Sequence, residues 1–214
     1  SSTGDGQTPL YEAFDWRQWR LEKRRGALKD TKFEFNLRTF YFDRHQFNGS
    51  ESQAWAIGGW AGLKTGYFLD HVAFGVTGYT SQRLIGYVDR DGTLLLKPAQ
   101  EGYTVLGEAY AEIRIVDGYN LTIGAKGFDT PFINRNDVRM TPNTFEGVTM
   151  SGKVQELDYF AGYLTQMKPR DSDQFESFAS AAGTSATTSE LSTRHSGTPS
   201  TGAGLPFLSV ILRR

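Results

Sequence analysis

Apolar and polar side chains alternate through residues 31–44, TKFEFNLRTFYFDR. One set of alternate positions is mostly aromatic or aliphatic and the other is charged or amide: Phe33, Phe35, Leu37, Thr39 and Tyr41 against Glu34, Asn36 and Arg38. Because successive side chains of a strand point to opposite faces, this segment predicts a β-strand with one apolar face and one polar face. Phe40 and Phe42 add an aromatic collar where the run ends. The pattern is typical of a strand that lies between lipid and a water-filled lumen.

The same alternation returns along the chain. Further strands are predicted in residues 53–67, 72–77, 104–115, 121–126, 145–154 and 157–167. In residues 104–115, Val105 and Gly107 fall in the apolar set and Thr104 falls in the charged set. Asp117 and Gly118 form the strongest short hairpin signal. The segments therefore predict an open antiparallel meander of about seven strands.

Connections of two kinds join these segments. The Asp117-Gly118 turn is minimal, whereas residues 81–103 and 127–144 are long, polar and interrupted by prolines. Barrels of the outer membrane have short turns at one rim and long loops at the other. A soluble β-sandwich also mixes both kinds, so that connection lengths favour the barrel only modestly.

Composition adds to the membrane interpretation. Aromatic residues make up 14% of the chain and charged residues 22%, with 24 glycines and a mean hydropathy of -0.44. No window approaches the roughly 18 apolar residues of a membrane-spanning helix. The chain contains no cysteine, which excludes disulfides and thiolate metal sites and is compatible with export through an oxidising periplasm. A net charge of -1 argues against nucleic acid as a partner.

Three ordered segments resemble the OprD-type family of outer-membrane porins. They are GALKDTKFEFNLRTFYFDR at residues 26–44, RMTPNTFEG at residues 139–147 and YLTQMKPRDSDQF at residues 163–175. The first is similar to the entry and first strand of the family. The second is similar to the block after the family's inward-folded third loop, and the third to a strand that runs into K-P-R-x-S-x-x-F.

This resemblance implies an all-β fold, the antiparallel transmembrane β-barrel of a porin. It also implies passive diffusion of small, anionic, carboxylate-bearing solutes across the outer membrane of a Gram-negative bacterium. The implied partners are outer-membrane lipid and small anions, with self-association as an open alternative. Since the family closes its barrel with about eighteen strands, this chain is expected to be an incomplete barrel that forms no pore alone.

The predicted organisation has three parts: an N-terminal extension in residues 1–30, a partial barrel in residues 31–183, and a disordered or out-of-frame tail in residues 184–214. In residues 184–204, eleven of the twenty-one residues are Ser or Thr and no alternation is left. We interpret this change as an interrupted reading frame near Gly183, with a natural Ser/Thr-rich linker as the alternative.

The N-terminal extension carries no apolar core of a signal peptide in its first residues, SSTGDGQTP. Tryptophans at positions 16 and 19 precede the basic cluster Lys23, Arg24 and Arg25. This part of the chain is predicted to be either a short amphipathic helix at a membrane surface or a solvated leader. We favour a periplasmic extension.

Charged and amide side chains on the polar faces are the candidates for the wall of a pore. The candidate pore-lining residues are Glu34, Asn36, Arg38, Lys64, Glu108, Glu112, Arg114, Lys126, Arg135 and Arg139. Arg38 lies on the polar face of its strand, so it is predicted to belong to a row of basic side chains along the lumen that binds a carboxylate through two hydrogen bonds. An ion pair with Glu34 is the alternative. Arg135 and Arg139 lie in the loop that matches the inward-folded one. Arg139 is predicted at the constriction, with salt bridges inside the loop as the alternative.

No enzymatic constellation emerges from these residues. Glu108 and Glu112 share one face of a strand, but alternating charges opposite a basic wall suit the transverse field of a channel better than glycosidase chemistry. His45, His71 and His195 stand apart, so neither a metal site nor a cofactor is predicted.

A second class of function remains open at this point. A soluble or surface β-sandwich could use the aromatic residues to contact carbohydrate or protein. The two classes differ in where the aromatic residues lie. A barrel places them at strand ends, as at Tyr41-Phe42, Trp55 and Tyr67-Phe68, around an outer apolar band. A sandwich gathers them in one interior.

Overall fold

Antiparallel strands make up most of the described chain. The computed structural model describes residues 16–47, 49–130, 133–154, 157–177 and 205–212. One helix, α1 (Trp16–Lys29), precedes the strands. The strands are β1 (Lys32–His45), β2 (Glu51–Lys64), β3 (Val72–Gly86), β4 (Tyr103–Val116), β5 (Tyr119–Lys126), β6 (Thr144–Val154), β7 (Leu157–Lys168), β8 (Glu176–Ser177) and β9 (Leu205–Leu212). Short 3₁₀ turns occupy Val88–Arg90 and Pro98–Gln100.

Each strand from β1 to β8 pairs antiparallel with the next one along the chain. The register of the first hairpin places Arg38 opposite Gly58 and Tyr41 opposite Trp55. Within the described residues β1 does not pair with the last strands, so the sheet is open. The prediction of an open meander with seven strands between residues 31 and 168 is therefore confirmed. The chain forms an incomplete antiparallel barrel.

The connections divide between two rims of the sheet. The β2–β3, β4–β5 and β6–β7 connections join strand ends at one rim, which we call the short-turn rim. The connections at residues 46–50, 87–102, 127–143 and 169–175 lie at the other, the long-loop rim. This division agrees with the asymmetry of outer-membrane barrels, whose short turns face the periplasm.

Large apolar side chains cover the outer face of the sheet. The relative exposure of Phe33 is 81% and that of Phe35 is 75%. Other exposed side chains of this outer band are Leu37, Tyr41, Trp55, Phe74, Val76, Leu106, Ile123, Val148, Met150 and Tyr163. A β-sandwich would bury such residues in one interior, so the sandwich alternative is wrong. The outer band fits contact with lipid chains.

The inner face packs against the long connections. Phe40 and Phe42 contact a cluster of Ala54, Ala56, Leu95, Leu96 and Met140, in which residues 95, 96 and 140 come from the connections at the long-loop rim. A second cluster joins Phe128, Ile133, Phe145, Leu164 and Met167, with Phe160 against it. The interior between wall and loops is thus filled where the strands approach the long-loop rim.

Two aromatic residues predicted in girdles lie elsewhere. Tyr41 and Trp55 are outward at the long-loop end, and Phe68 packs on Phe74 with 6.1 Å between ring centroids. Phe42, however, packs inward, and Tyr67 bonds to the inner-face carboxylate Glu112. Strand parity turns Phe42 inward because it is one residue out of phase with Tyr41.

A β-bulge in β4 corrects the predicted faces of residues 104–107. Thr77 pairs with Glu108 but Gly78 pairs with Leu106, so Gly107 is the extra residue. Because a bulge inserts one residue, it exchanges the faces of the strand on one side of it. Leu106 therefore joins the outer band at 56% exposure. Thr104 bonds to the outward Thr80 hydroxyl at 2.9 Å instead of sharing the charged face.

The tail contributes one strand to the sheet. Leu205–Leu212 pairs antiparallel with β7, from Leu164↔Leu205 to Leu157↔Leu212. The prediction that residues 184–214 have no place in the sheet is wrong for this segment. Its sequence, LPFLSVIL, is apolar, and the edge of β7 offers unpaired backbone groups. The Ser/Thr-rich residues 184–204 lie outside the described residues.

Helix α1 lies at the short-turn rim and leads directly into β1. The Gly66 amide of the β2–β3 turn donates to the Ala27 carbonyl at 2.9 Å, and Lys23 pairs with Asp70 of the same turn. Ala27 is only 2% exposed. Within the predicted N-terminal extension, residues 16–29 form α1, and residues 1–15 lie outside the described residues. None of the described helices has the length and apolar character needed to cross a membrane.

The bulge makes a prediction about stability. A Cβ atom at Gly107 would overlap the ring of Tyr79, which is only 3% exposed. Gly107→Ala is expected to cost about 1–3 kcal/mol of unfolding free energy because the ring has to move. Gly78→Ala is the matched control, since the nearest atom to its Cβ is the Ala61 carbonyl oxygen at 4.0 Å. Urea unfolding in phospholipid vesicles, followed by tryptophan fluorescence, measures both variants. Equal unfolding midpoints would contradict the assignment.

Candidate functional site

The connection between β5 and β6, described over residues 127–130 and 133–143, folds over the inner face of the sheet. Three of its side chains contact distant strands. Asp137 pairs with Arg38 of β1, Met140 packs in the cluster that contains Ala54, and Thr141 bonds to Tyr103 of β4. We call this segment the inner loop. It places charged groups of its own opposite those of the strands.

Arg38 is held by the inner loop. Its two terminal nitrogens donate to the two oxygens of Asp137 at 2.6 and 2.8 Å. Its Nε donates to Asn36 at 2.9 Å, and its guanidinium lies 4.1 Å from the centre of the Trp60 ring. Glu34 accepts from the Trp60 indole at 3.2 Å, so the alternative of an Arg38–Glu34 pair is wrong. A bidentate pair of this geometry fixes both side chains.

Glu112 collects three donors on the inner face. Lys64 and Lys126 reach its two oxygens at 3.1 and 2.9 Å, and the Tyr67 hydroxyl also donates to it. Burial raises the pKa of Tyr67, and the adjacent Glu112 carboxylate raises it further, so this hydroxyl stays protonated. The Arg114 guanidinium stacks 3.9 Å from the centre of the Tyr67 ring. Two lysines therefore share one carboxylate.

Glu108 holds the start of the inner loop. Its carboxylate accepts the Gly127 amide at 2.7 Å and the Thr77 hydroxyl at 3.0 Å. Arg135 pairs with Asp129 inside the loop, with Nη2 and Oδ2 separated by 2.7 Å. The hydrogen bond to Asp129 raises the pKa of Arg135. Arg135 thus forms its salt bridge within the inner loop.

Arg139 differs from Arg38 and Arg135 in its partners. Its guanidinium donates to the carbonyls of Thr93 and Val138 at 3.2 and 3.1 Å and lies 4.8 Å from the Phe42 ring. Among the described residues no carboxylate pairs with it. Burial lowers the pKa of Arg139, and the positive charges of Arg170 and Arg44 lower it further. Arg44 and Arg139 both lie over the Phe42 ring, and together with Arg170, whose charge also acts on Arg139, they form a basic cluster.

A buried junction ties the inner loop to the connection after β7. The Tyr103 hydroxyl is 2.7 Å from that of Thr141 and donates to the Arg170 carbonyl at 2.6 Å. Thr141 also donates to that carbonyl at 3.0 Å. Next to it the fully buried Lys168 donates to the Pro169 carbonyl at 2.8 Å. This junction fixes the backbone of the two segments that carry Arg139 and Arg170.

The structure places the strand candidates on the inner face, as parity predicted, and the two loop candidates above it. Their lining of a pore stays a prediction. The sequence analysis did not name as site residues Trp60, Asp137, Arg44, Arg170, Tyr103 and Thr141, and it placed Tyr67 in an aromatic girdle instead. Arg44 continues the parity of Arg38 along β1, and Trp60 shares that of Lys64. Asp137 has no such signal, because its partner is 99 residues away.

The two described histidines, His45 and His71, contact other protein groups. His45 lies 3.2 Å from Glu51 at the long-loop rim, and the His71 ring is 3.0 Å from the Arg114 carbonyl. Among the described residues there is no group of three metal-binding side chains. His195 lies outside the described residues.

An open antiparallel wall with an apolar outer band, a charged inner face and a loop folded onto that face defines a porin of the outer membrane. The chain belongs to the OprD family of outer-membrane porins, whose family model matches residues 25–198. Porins are channel proteins of the Gram-negative outer membrane and not enzymes. The match continues fifteen residues beyond residue 183, where the sequence analysis placed the end of the barrel.

Individual relatives agree with this assignment. Porin D of Pseudomonas aeruginosa is 28% identical over 176 residues, which are 78% of this chain and 39% of that protein. A BenF-like porin from Pseudomonas fluorescens Pf-5 superposes with a TM-score of 0.64 at 25% identity, covering 71% of this chain and 41% of the other. OpdK from Pseudomonas aeruginosa gives 0.60 at 26% identity, covering 71% and 39%. The chain thus spans about two fifths of the length of these relatives.

The shared carboxylate makes a prediction. Glu112→Gln leaves Lys64 and Lys126 facing each other without an anion, and Glu112 is only 7% exposed. Unfolding is expected to become easier by about 1.5–3 kcal/mol, the range for hydrogen bonds to charged groups. Glu34→Gln is the control, because its side chain can still accept from the Trp60 indole. Urea unfolding in vesicles measures both variants, and equal losses would refute a special role for Glu112.

Proposed function

We propose that this chain forms part of the wall and the inner loop of a channel that passes small carboxylate-bearing anions by passive diffusion. Further strands complete the pore, because the outer strands of an open sheet leave backbone groups that lipid cannot satisfy. The family and the two-faced sheet support a diffusion channel. The preference for anions is inferred from the charges of the inner face.

The observation that carries this proposal is the surplus positive charge around Arg139. Its guanidinium pairs with carbonyl oxygens, and Arg44 and Arg170 add like charges next to it. Since carbonyl partners leave its formal charge uncompensated, the cluster attracts anions from water. The inner loop carries it over the inner face, where a loop narrows the lumen of a barrel.

The lower part of the wall adds to the same field. Glu112 balances only one of the two lysines bonded to it, so the group keeps a net positive charge. Arg114 lies nearby on the same face of β4, stacked on Tyr67. Arg38 contributes less, because Asp137 compensates it. We therefore rank Arg139 above Arg38 among the candidate selectivity residues.

A carboxylate suits this lining by its shape as well as its charge. Guanidinium groups offer two parallel N–H donors that match the two oxygens of a carboxylate. Each charge-assisted hydrogen bond contributes about 1.5–3 kcal/mol, which offsets part of the cost of removing water from the anion. Several weak binding sites, one after another along the pore, allow the solute to enter and also to leave.

Arg139→Gln tests the proposal in the complete barrel that contains this wall. Reversal potentials of single channels in a potassium chloride gradient are expected to shift towards cation preference, because a positive charge has left the narrow region. Arg90→Gln is the matched control, since Arg90 pairs with Glu51 at the long-loop rim. Carboxylate flux is expected to fall in parallel for the first variant only. An unchanged reversal potential in Arg139→Gln would overturn the assignment of this residue.

Arg38 gives a second test that separates charge from position. Arg38→Gln leaves Asp137 uncompensated, so anion selectivity is expected to fall although the barrel still assembles. The double variant Arg38→Gln with Asp137→Asn restores the charge balance and is expected to recover much of the selectivity. Reversal potentials compare the two variants. If the double variant is as poorly selective as the single one, the pair acts by placing the inner loop and not through its charge.

A further inference from the structure

Helix α1 carries two faces with different contacts. Side chains three, four and seven residues apart share one face of a helix. Lys23 and Ala27 occupy the face that docks on the β2–β3 turn, through Asp70 and the Gly66 amide. These contacts hold the helix at the short-turn rim, immediately before β1 begins.

The opposite face of α1 is apolar at its centre and basic at its sides. Leu21 and Leu28 are seven residues apart and are 52% and 64% exposed. Arg24 and Arg25 lie on either side of the line between them and are also exposed. Within the described residues no carboxylate pairs with Arg24, Arg25 or Lys29. The helix as a whole contains six basic residues and one acidic residue.

The outer band lies close to the turn on which α1 docks. The turn on which α1 docks carries Leu69, which is 42% exposed, and leads into β3 with the outward Phe74. The outer band therefore reaches the short-turn rim at the place where the helix sits. Lipid headgroups lie at this level around a barrel, because the apolar band ends there.

We propose that the exposed face of α1 binds the anionic phospholipid headgroups of the leaflet at the short-turn rim. Arginine donates to phosphate in bidentate geometry, and its apolar stem can lie against lipid while the guanidinium reaches the headgroups. The two leucines enter the boundary between headgroups and acyl chains. Lipid offers phosphate and hydrocarbon side by side, which a purely acidic partner does not.

The absence of cysteine from the sequence makes a direct test possible. Glu22→Cys places a single thiol beside the proposed contact face, at an exposed position. A nitrobenzoxadiazole label on this thiol reports contact with lipid by brighter, blue-shifted emission and by quenching from spin-labelled acyl chains. The labelled protein is placed in nanodiscs of phosphatidylcholine, with or without phosphatidylglycerol.

The proposal predicts lipid contact that depends on anionic lipid and on the two arginines. Phosphatidylglycerol is expected to increase quenching and emission, and Arg24→Gln with Arg25→Gln is expected to weaken the contact equilibrium by roughly 30-fold. Arg83→Gln with Arg90→Gln removes the same charge elsewhere and is expected to change nothing. Circular dichroism verifies the strand content of each variant. High salt gives a measurement without substitution, because screening is expected to weaken the contact of the unaltered helix.

Three results would overturn the proposal. Quenching that is equal with and without phosphatidylglycerol would show that anionic headgroups are not the partner. Emission of a water-exposed label in both lipids would make α1 a solvated leader. Blue-shifted emission without lipid quenching would show that the face packs on protein instead.

Discussion

Backbone hydrogen bonding between neighbouring strands is the constraint on which this structure depends. Lipid offers no partner to an N–H or a carbonyl group, so each membrane-facing strand has to be paired along its length. The successive antiparallel order from β1 to β8 meets this requirement for all but the outermost strands. The same pairing makes each strand two-faced, with Phe33 and Phe35 outward and Glu34 and Asn36 inward. The outward-facing and inward-facing side chains are therefore separated by one residue.

The inner loop links the fold to the proposed site. Its start is held by Glu108, its middle by Arg38 and its end by Tyr103. Polar side chains of the wall thus hold the inner loop in place. In the proposed channel they would also face the solute. Arg38 and Glu108 are largely committed to the loop, whereas Arg139 is left with surplus charge. Arg38 and Arg139 therefore differ in how far a carboxylate compensates their charge.

The short-turn rim shows a similar division of contacts on a smaller scale. Lys23 and Ala27 fix α1 to the β2–β3 turn, and the leucines and arginines of the other face stay exposed. A helix that docks with one face and exposes an apolar stripe with the other is suited to an interface between protein, lipid and water. The outer band and α1 would then contact the same leaflet at different depths.

The sequence by itself determined the seven strands β1 to β7, their order and most of their faces. Alternation is a local property, because the side-chain period of a strand depends only on its own backbone. For this reason Arg38, Lys64, Glu112 and Lys126 could be placed on one face before any coordinates. The local Asp117-Gly118 signal likewise located the two-residue turn between β4 and β5, which the structure confirms.

Tertiary structure alone decided the partners of those side chains and the exceptions to alternation. The pairing of Arg38 with Asp137 depends on where a loop 99 residues away comes to rest, and no local pattern encodes that distance. The bulge places Gly107 against the Tyr79 ring of the neighbouring strand, where a Cβ atom would not fit. Strand β9 (Leu205–Leu212) pairs with β7 because that strand has a free edge, although the sequence of β9 shows no alternation. The local sequence allows several contacts for each of these groups, and long-range packing determines which of them form.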